Sequence, residues 1–390
     1  MRSYKSTVFA CYIGYITQAV VNNYAPLLFV TFRHTWGISL ERLGLLVSVN
    51  FLTQLVTDLF SAKYADRIGY RQMIVFSHVC AAAGLILMGI LPDILPPFAG
   101  LCVAVMLYAV GGGIIETLIS PVLDGCPADD KASAMSLLHS FYCWGSVMTI
   151  AGSVLLFRLL GLQAWRRIAC IWAVIPLINV FSFMSVPIRT QTEAGMGMSG
   201  KELFGSHTFR KLIILMICAG CAELSMSQWA SAFAETALHI SKTAGDLAGP
   251  CFFAVLMGIS RVIHASISGR TDLNRYMRFC ALLCVFGYLL ACLSPYALLS
   301  LTGCGICGYS VGVMWPGTFS IAGESIKNGG TAMFALLAFA GDIGCSLGPW
   351  LVGLVSAAAG DDLKTGLLCA AFFPALMFFC LGTFKTRTDH

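Results

Sequence analysis

Long apolar runs decide what this chain can become. Twelve stretches, centred on residues 8–32, 42–61, 73–91, 98–122, 133–157, 167–187, 211–236, 247–268, 278–294, 297–322, 331–356 and 364–383, are each able to cross a bilayer, which takes about 17–25 residues of helix. Hydrocarbon offers no water to a backbone amide, so such runs must be helical. Composition agrees, with 58% apolar and 11% charged residues against about 45–50% and about 25% in soluble domains. So few charges cannot keep a folded surface in water. The net charge of +5, from 24 Lys+Arg and 19 Asp+Glu, is scattered without a basic tract, and nucleic acid is not an expected partner. Most of the 17 cysteines, among them Cys80, Cys170, Cys218, Cys280, Cys307 and Cys380, lie inside apolar runs. There they act as small hydrophobes, and no spacing suggests zinc. The first run holds Gln18, Asn22 and Asn23 with no small-residue cleavage site after it, and is read as a span rather than a signal peptide.

The expected fold class is an all-α membrane protein with twelve transmembrane helices in two six-helix pseudo-symmetric bundles. The N-terminal bundle covers 1–187, a hydrophilic cytoplasmic linker 188–209, and the C-terminal bundle 210–390. Sixteen Lys and Arg residues fall on the N-terminal side of the membrane, seven on the opposite side, and Arg261 within a span. Positive residues favour the cytoplasm, so both termini are expected inside the plasma (inner) membrane; the Arg158–Arg167 cluster runs against that rule. Ala132-Ser133-Ala134-Met135 with Phe141 echoes Gly330-Thr331-Ala332-Met333 with Phe339, as a duplicated transporter would. Lipid and a small-molecule solute are the expected partners, and the chain is expected to be a monomer.

An ionisable group at bilayer depth costs at least about 2.5–3.5 kcal/mol and is a functional-site candidate by default. Glu116 sits mid-span beside Gly111-Gly112-Gly113, with Ser120 one turn on and Pro121 beyond. Low dielectric favours the neutral form of a carboxyl, which suits a group that loads a proton on one side and releases it on the other; a fixed hydrogen-bond anchor is the alternative. His139, able to titrate near neutrality, competes for that coupling role, and Asp342 in span eleven is its second-half candidate. Tyr15, Gln18 and Asn22 are three and four residues apart and form one polar stripe, with Asn23 beside it and Pro26 placed to kink the helix. His139 and Tyr142 share a face. These are sugar-type contacts, although helix packing would use them equally well. Glu223 and Ser227 share a face of span seven, but Gln228 and Trp229 lie round the helix from Glu223; all reach one cavity only if that span is unwound. Trp315-Pro316 suggests a kink with an aromatic at cavity depth. Arg261 either pairs locally or meets an anionic solute, and His264 is expected to pack. Asp58, one turn below Gln54, is read with the loop that follows it as a gating residue.

That loop reads Ala62-Lys63-Tyr64-Ala65-Asp66-Arg67-Ile68-Gly69-Tyr70-Arg71 and resembles the signature loop of the major facilitator superfamily, G-x-L-x-D-R-x-G-R-R. Asp66, Arg67, Gly69 and Arg71 match; Ala62 and Tyr70 depart. A glycine turn with a short charged ladder would clamp two helix ends in one conformation. The equivalent segment Gly269-Arg270-Thr271-Asp272-Leu273-Asn274-Arg275 is degenerate, while Ala164-Trp165-Arg166-Arg167 is similar to the G-W-R-W that opens span six in many members. A finer match lies in Glu116-Thr117-Leu118-Ile119-Ser120-Pro121 and in His139 to Gly145, which resemble the E-T-A-A-N-P and Q-T-F-N-S-F-G of the fucose-permease-like sugar symporter branch. His139 and Tyr142 replace that branch's Gln and Asn, and Asn22 falls near its span-one acidic residue. The resemblance implies a twelve-helix fold that works by alternating access, with the span-four Glu in proton coupling and proton, or sodium, as the coupling ion rather than a cofactor. Symport of a sugar or sugar-like solute is the expected function, with proton-driven export of an amphipathic compound as the alternative. An integral membrane enzyme is remote: no GxSxG, HExxH, loop Asp-x-Asp or GxxxxGK[ST] is present.

Overall fold

In a computed structural model the structure describes residues 4–127, 131–188, 198, 200–267, 272–326 and 329–384, and among these the regular elements are all helices. The chain divides into two compact units, Met1–Thr192 and Glu193–His390. The first holds α1 (Tyr4–Asn23), α2 (Leu40–Ile68), α3 (Tyr70–Met88), α4 (Pro97–Asp124), α5 (Lys131–Leu160) and α6 (Trp165–Ser185). The second holds α7 (His207–Thr236), α8 (Phe252–Ile267), α9 (Leu273–Leu293), α10 (Ala297–Val311, resumed as Met314–Ser325), α11 (Gly330–Ala358) and α12 (Leu363–Ala370, resumed as Phe372–Leu381).

Eleven helices among the described residues are long and apolar enough to span a membrane. Twelve runs were expected, and α1 makes the difference. Its 20 residues are long enough, but the polar stripe dilutes their hydropathy. Pro26 then interrupts the α-helix with a 3-10 turn, Ala25–Leu28, before helix resumes over Phe29–Trp36. Proline has no N–H to give and crowds the preceding turn. The same chemistry acts in α10, where Pro316 cannot bond the Gly312 carbonyl and the helix breaks at Gly312 and Val313. The hydrophilic linker is not all irregular. Within it a short helix, Gly200–Gly205, buries Leu203 completely; its single apolar anchor is too short a signal to read from composition. Residues 189–197 and 199 lie outside the described residues.

Small residues set how closely the helices approach. Lipid is as apolar as leucine, so membrane helices associate by close packing and interhelical bonds rather than by burial from water. A Cβ on Gly111 would stand 2.5 Å from the Ser77 carbonyl oxygen of α3, and one on Gly113 would stand 2.8 Å from the Gln54 carbonyl oxygen of α2. α4 is thereby pressed against both neighbours. On α5, a Cβ at Gly145 would stand 3.0 Å from Ile16 Cα of α1. In the second unit Gly220, Gly344 and Gly348 knit α7 to α11 backbone against backbone. Gly111→Ala should therefore lower the thermal unfolding midpoint of the detergent-solubilised protein by an amount equivalent to about 1–3 kcal/mol, the usual cost of overpacking. Gly205→Ala, where nothing lies within 4 Å, should leave it unchanged.

Candidate functional site

The polar residues of the first unit converge from four helices. Gln18 Nε2 of α1 donates to Glu116 Oε2 of α4 at 2.5 Å. One turn along each helix, Tyr15 OH and Ser120 Oγ are 2.9 Å apart. Asn22 is the hub: its Oδ1 accepts from Gln54 Nε2 at 2.8 Å and from Asn50 Nδ2 at 3.1 Å, and its Nδ2 donates to Tyr142 OH at 3.5 Å. The His139 ring meets the Tyr15 ring edge-on, with centroids 5.2 Å apart. Below Glu116, Thr117 Oγ1 donates to Asp58 Oδ1 at 2.8 Å. Tyr15, Gln18 and Asn22 are each 4% exposed, whereas Glu116, His139 and Tyr142 are half-buried. The arrangement can present a carboxyl, an imidazole and a phenol to a polar solute from a scaffold of interlocked amides.

Two of the candidate residues have partners that the sequence did not name. Asn23 turns to α5, donating to the Ala19 carbonyl at 2.8 Å and to Ser146 Oγ at 3.0 Å. Asp58, read from the sequence with the loop that follows it, accepts from Thr117 and so also joins the polar network beside Glu116. Asn50 and Gln54 were not picked out as site residues, yet with Asp58 they recur every four residues on α2 and so share one face; that spacing was the available signal. His78 and Asn179 were missed too. His78 Nδ1 lies 2.8 Å from the Ile74 carbonyl, and its Nε2 lies 2.8 Å from Asn179 Nδ2, which also donates to the Ala10 carbonyl at 3.0 Å. The imidazole is therefore a bridge tying α3 to α6 and, through Asn179, to α1.

In the second unit α7 remains a regular helix through Thr236, so the unwinding that would bring Gln228 and Trp229 to the same cavity as Glu223 is not seen. Trp229 in consequence faces α11: it is fully buried, and its Nε1 donates to the Pro349 carbonyl at 2.9 Å. Gln228 is buried as well, while Ser227 and Trp315 are half-buried. Glu223 lies instead opposite Arg261 of α8, with Oε2 and Nη2 3.9 Å apart. Asp342 is buried, one residue from Gly341, whose backbone lies directly against the Trp315 ring. Another charged group was not anticipated. Lys242 sits 3.1 Å from both Glu235 and the wholly buried Asp246, whose other oxygen accepts from Ser231 at 2.5 Å.

The loop between α2 and α3 has an identifiable mechanical part. Gly69 has φ +101°, a conformation L side chains rarely adopt. Arg71 reaches across to donate from Nη1 to the Phe183 carbonyl at 2.6 Å and from Nη2 to the Val186 carbonyl at 2.9 Å. These carbonyls end α6 and have no helical partner of their own. Arg67 is exposed, and the Asp66 side chain lies outside the described residues, as do Gly269, Arg270 and Thr271 of the equivalent segment. Arg166, from the segment opening α6, pairs with Asp93 in the connection before α4, and its hydrogen bonds hold the Asp93 carboxyl below the usual carboxylate range. That pairing gives an arginine on the low-charge side a local partner. Among the described residues no group of three or more His, Cys, Asp or Glu is placed to hold a metal.

Two units of long apolar helices, each holding charged and amide side chains within its spans, define a polytopic helical membrane protein. A sequence model of the Major Facilitator Superfamily matches residues 9–349, and the chain belongs to that superfamily, whose members are transporters and not enzymes. No curated protein sequence matches it. Among solved structures, the chain is similar in fold to a D-xylose-proton symporter, at 13% identity and TM-score 0.81 over 100% of this chain and 99% of that one. It is also similar to the nucleoside transporter NupG, at 12% identity and TM-score 0.79 over 97% and 100%. The E. coli fucose:proton symporter FucP gives 17% identity and TM-score 0.67 over 98% and 99%.

Replacing Arg71 with Lys keeps the charge but loses the fork that reaches two carbonyls. We expect Arg71→Lys and Arg71→Ala to destabilise the protein alike, each by about 1–3 kcal/mol, measured as a loss of thermal midpoint in detergent.

Proposed function

We propose that the protein is a proton-coupled symporter of a small, sugar-like polar solute, working by alternating access, with Glu116 as the coupling group. The observation that carries this reading is the Gln18–Glu116 contact. An acidic side chain at membrane depth is held there by a neutral amide, half-buried, among residues that can bond hydroxyls. An amide can donate to a carboxylate or accept from a protonated carboxyl by rotating, so Gln18 accommodates both protonation states of Glu116. A lysine or arginine in its place would fix the charge. Tyr15, Asn22, His139 and Tyr142 supply donors, acceptors and aromatic surface for a hydroxylated ring, with Tyr12 and Phe141 stacked beside them at 4.1 Å between centroids. A cavity with this lining suits a polar solute better than an amphipathic one, which favours symport over export. The protons of Glu116, and in the second unit of Asp342, would then move with the solute. By the charge distribution of the loops, both termini face the cytoplasm.

The test is uptake by the purified protein in liposomes, with a panel of hexoses, pentoses and nucleosides under imposed pH or sodium gradients. Glu116→Gln should abolish accumulation against a concentration gradient while leaving counterflow exchange intact. Concentrative uptake persisting in that variant would remove Glu116 from the coupling role. Asn22→Ala and Tyr142→Ala should each raise the KM of the transported solute about tenfold, the equivalent of about 1.4 kcal/mol, because each removes a polar contact to the solute or its support. An unchanged KM in both would place the solute elsewhere.

A further inference from the structure

α9 and α12 pack side by side in the second unit, and together they hold no Asp or Glu. Their lipid faces show in the exposed residues, which recur every three or four positions: Phe279, Leu282 and Phe286 on α9, and Phe372, Leu376 and Phe379 on α12. Phe279 is 58% exposed and Phe379 69%, so both rings are left for acyl chains to cover. Arg275, exposed, continues the α9 stripe one turn further. Arg278 is its neighbour on that turn, about 60° round the helix. It is half-buried on the side of α12, with its guanidinium 4.9 Å from the centre of the Phe378 ring, and a Cβ on Gly382 would stand 3.6 Å from its Cζ.

Among the described residues no acceptor answers Arg278. Its Nε is enclosed without a hydrogen-bond partner, and the ion pairs described in this unit belong to Lys242 and Arg261. Arg278 is not needed to close α12, whose last carbonyls have other donors. Lys211 Nζ reaches the Thr383 carbonyl at 3.2 Å, and Asn274 Nδ2 reaches the Phe384 carbonyl at 3.5 Å. Asp272 is occupied in capping α9, where it accepts from the Arg275 N–H at 3.0 Å. The Phe378 ring attracts the cation but takes none of its N–H groups in a full hydrogen bond. A guanidinium with donors to spare, beside a second arginine and at the end of an apolar surface, calls for an anion with an apolar tail.

We propose that Arg278 and Arg275 form a headgroup site for an anionic phospholipid, whose acyl chains lie along α9 and α12 against Phe279 and Phe379. The leaflet is the one at this end of the helices, which the loop charges assign to the cytoplasm. The guanidinium fork of Arg278 matches two oxygens of a phosphodiester with parallel hydrogen bonds, and Arg275 adds a second positive charge on the same turn. Basic side chains at a membrane surface attract anionic lipid in this way. Selectivity follows from the absence of acidic residues on both helices. Phosphatidylglycerol carries one net negative charge and nothing else to satisfy. Phosphatidylethanolamine and phosphatidylcholine add a cationic group, for which neither helix supplies a carboxylate, and their neutral headgroups leave both arginines uncompensated. Free phosphate would meet the arginines but not the phenylalanines. The site concerns the lipid-facing side of the second unit and is independent of what the protein carries.

The test is native mass spectrometry of the purified full chain in detergent, titrated with phosphatidylglycerol, phosphatidylethanolamine and phosphatidylcholine of equal chain length. The first phosphatidylglycerol should bind roughly tenfold more tightly than either zwitterion, the scale expected of two basic residues at a membrane surface. Arg278→Gln should lower that ratio about fivefold, the share of one such residue, with Arg278→Lys in between because it keeps the charge and loses the fork. Each variant is compared with itself across lipids, so a general loss of stability does not imitate a loss of the ratio. Arg210→Gln removes an exposed arginine at the same end of α7 and should leave the ratio unchanged. An equal loss in that variant would mean attraction to the basic surface as a whole and would refute the site. The site is refuted as well if phosphatidylethanolamine binds as tightly as phosphatidylglycerol, or if Arg278→Gln keeps the full ratio. Displacement of the bound lipid by millimolar inorganic phosphate would show a site for a free anion and overturn the lipid as its occupant.

Discussion

Hydrocarbon allows a polar side chain only where another polar side chain answers it. That constraint organises the first unit around Asn22. Its amide accepts two amide N–H groups from α2 and donates to a phenol on α5, so one residue of α1 ties three helices. The individual bonds are modest, since interhelical hydrogen bonds in membranes average about 0.6 kcal/mol. What they fix is register. Sliding α1 by one residue along its neighbours would break the Asn22 contacts, the Gln18–Glu116 contact and the Tyr15–Ser120 contact together. The glycines of α4 and α5 serve the same end by a different route, because they bring backbones close enough for these short amide side chains to meet.

The two units meet the constraint with different chemistry. In the first, Glu116 is met by an amide, and the cluster around it is built mainly from Asn, Gln, Ser, Thr and Tyr, with Asp58 and His139 at its margins. In the second, Glu223 is answered by Arg261, and Glu235 and Asp246 by Lys242. An amide partner leaves a carboxyl free to change its charge; a cationic partner ties that charge to its own position. Breaking a buried ion pair by removing one member leaves the other uncompensated, at about 3–5 kcal/mol. The Lys242 group is the tighter of the two, with two carboxylates at 3.1 Å and a serine on the buried one. It braces the end of α7 to the segment entering α8. The Glu223–Arg261 contact is longer, at 3.9 Å.

Much of this was legible in the sequence because periodicity survives folding. The stripe of Tyr15, Gln18 and Asn22, and the shared face of His139 and Tyr142, followed from spacing alone, and the structure sets the two against each other, with Gln18 bonding Glu116. The spacing of Asn50, Gln54 and Asp58 carried the same information on α2. It was obscured by the neighbouring Asp-Arg loop, which drew Asp58 into a different grouping. Pairings between distant helices were not legible. Nothing in the local sequence of Trp229 says that a proline carbonyl 120 residues away accepts its indole N–H. Nor does anything around His78 name Asn179. A proline N–H is missing wherever proline occurs, so the breaks at Pro26 and Pro316 could be foreseen; the regularity of α7 had to be seen.

Arg71 shows how a sequence signature can be strict without touching the solute. Its two N–H groups reach the Phe183 and Val186 carbonyls, which close α6 more than a hundred residues downstream. Any residue that serves this end must be long, charged at every pH, and forked, which only arginine satisfies. Gly69 two residues earlier supplies the turn, at a φ that favours glycine, and so aims the side chain. The turn and the fork act as one unit: without the glycine the arginine would be carried off its carbonyls, and without the arginine the glycine would turn the chain with nothing to hold. The loop is therefore constrained by the need to fasten α3 to the end of α6, and that mechanical demand is independent of what the protein carries.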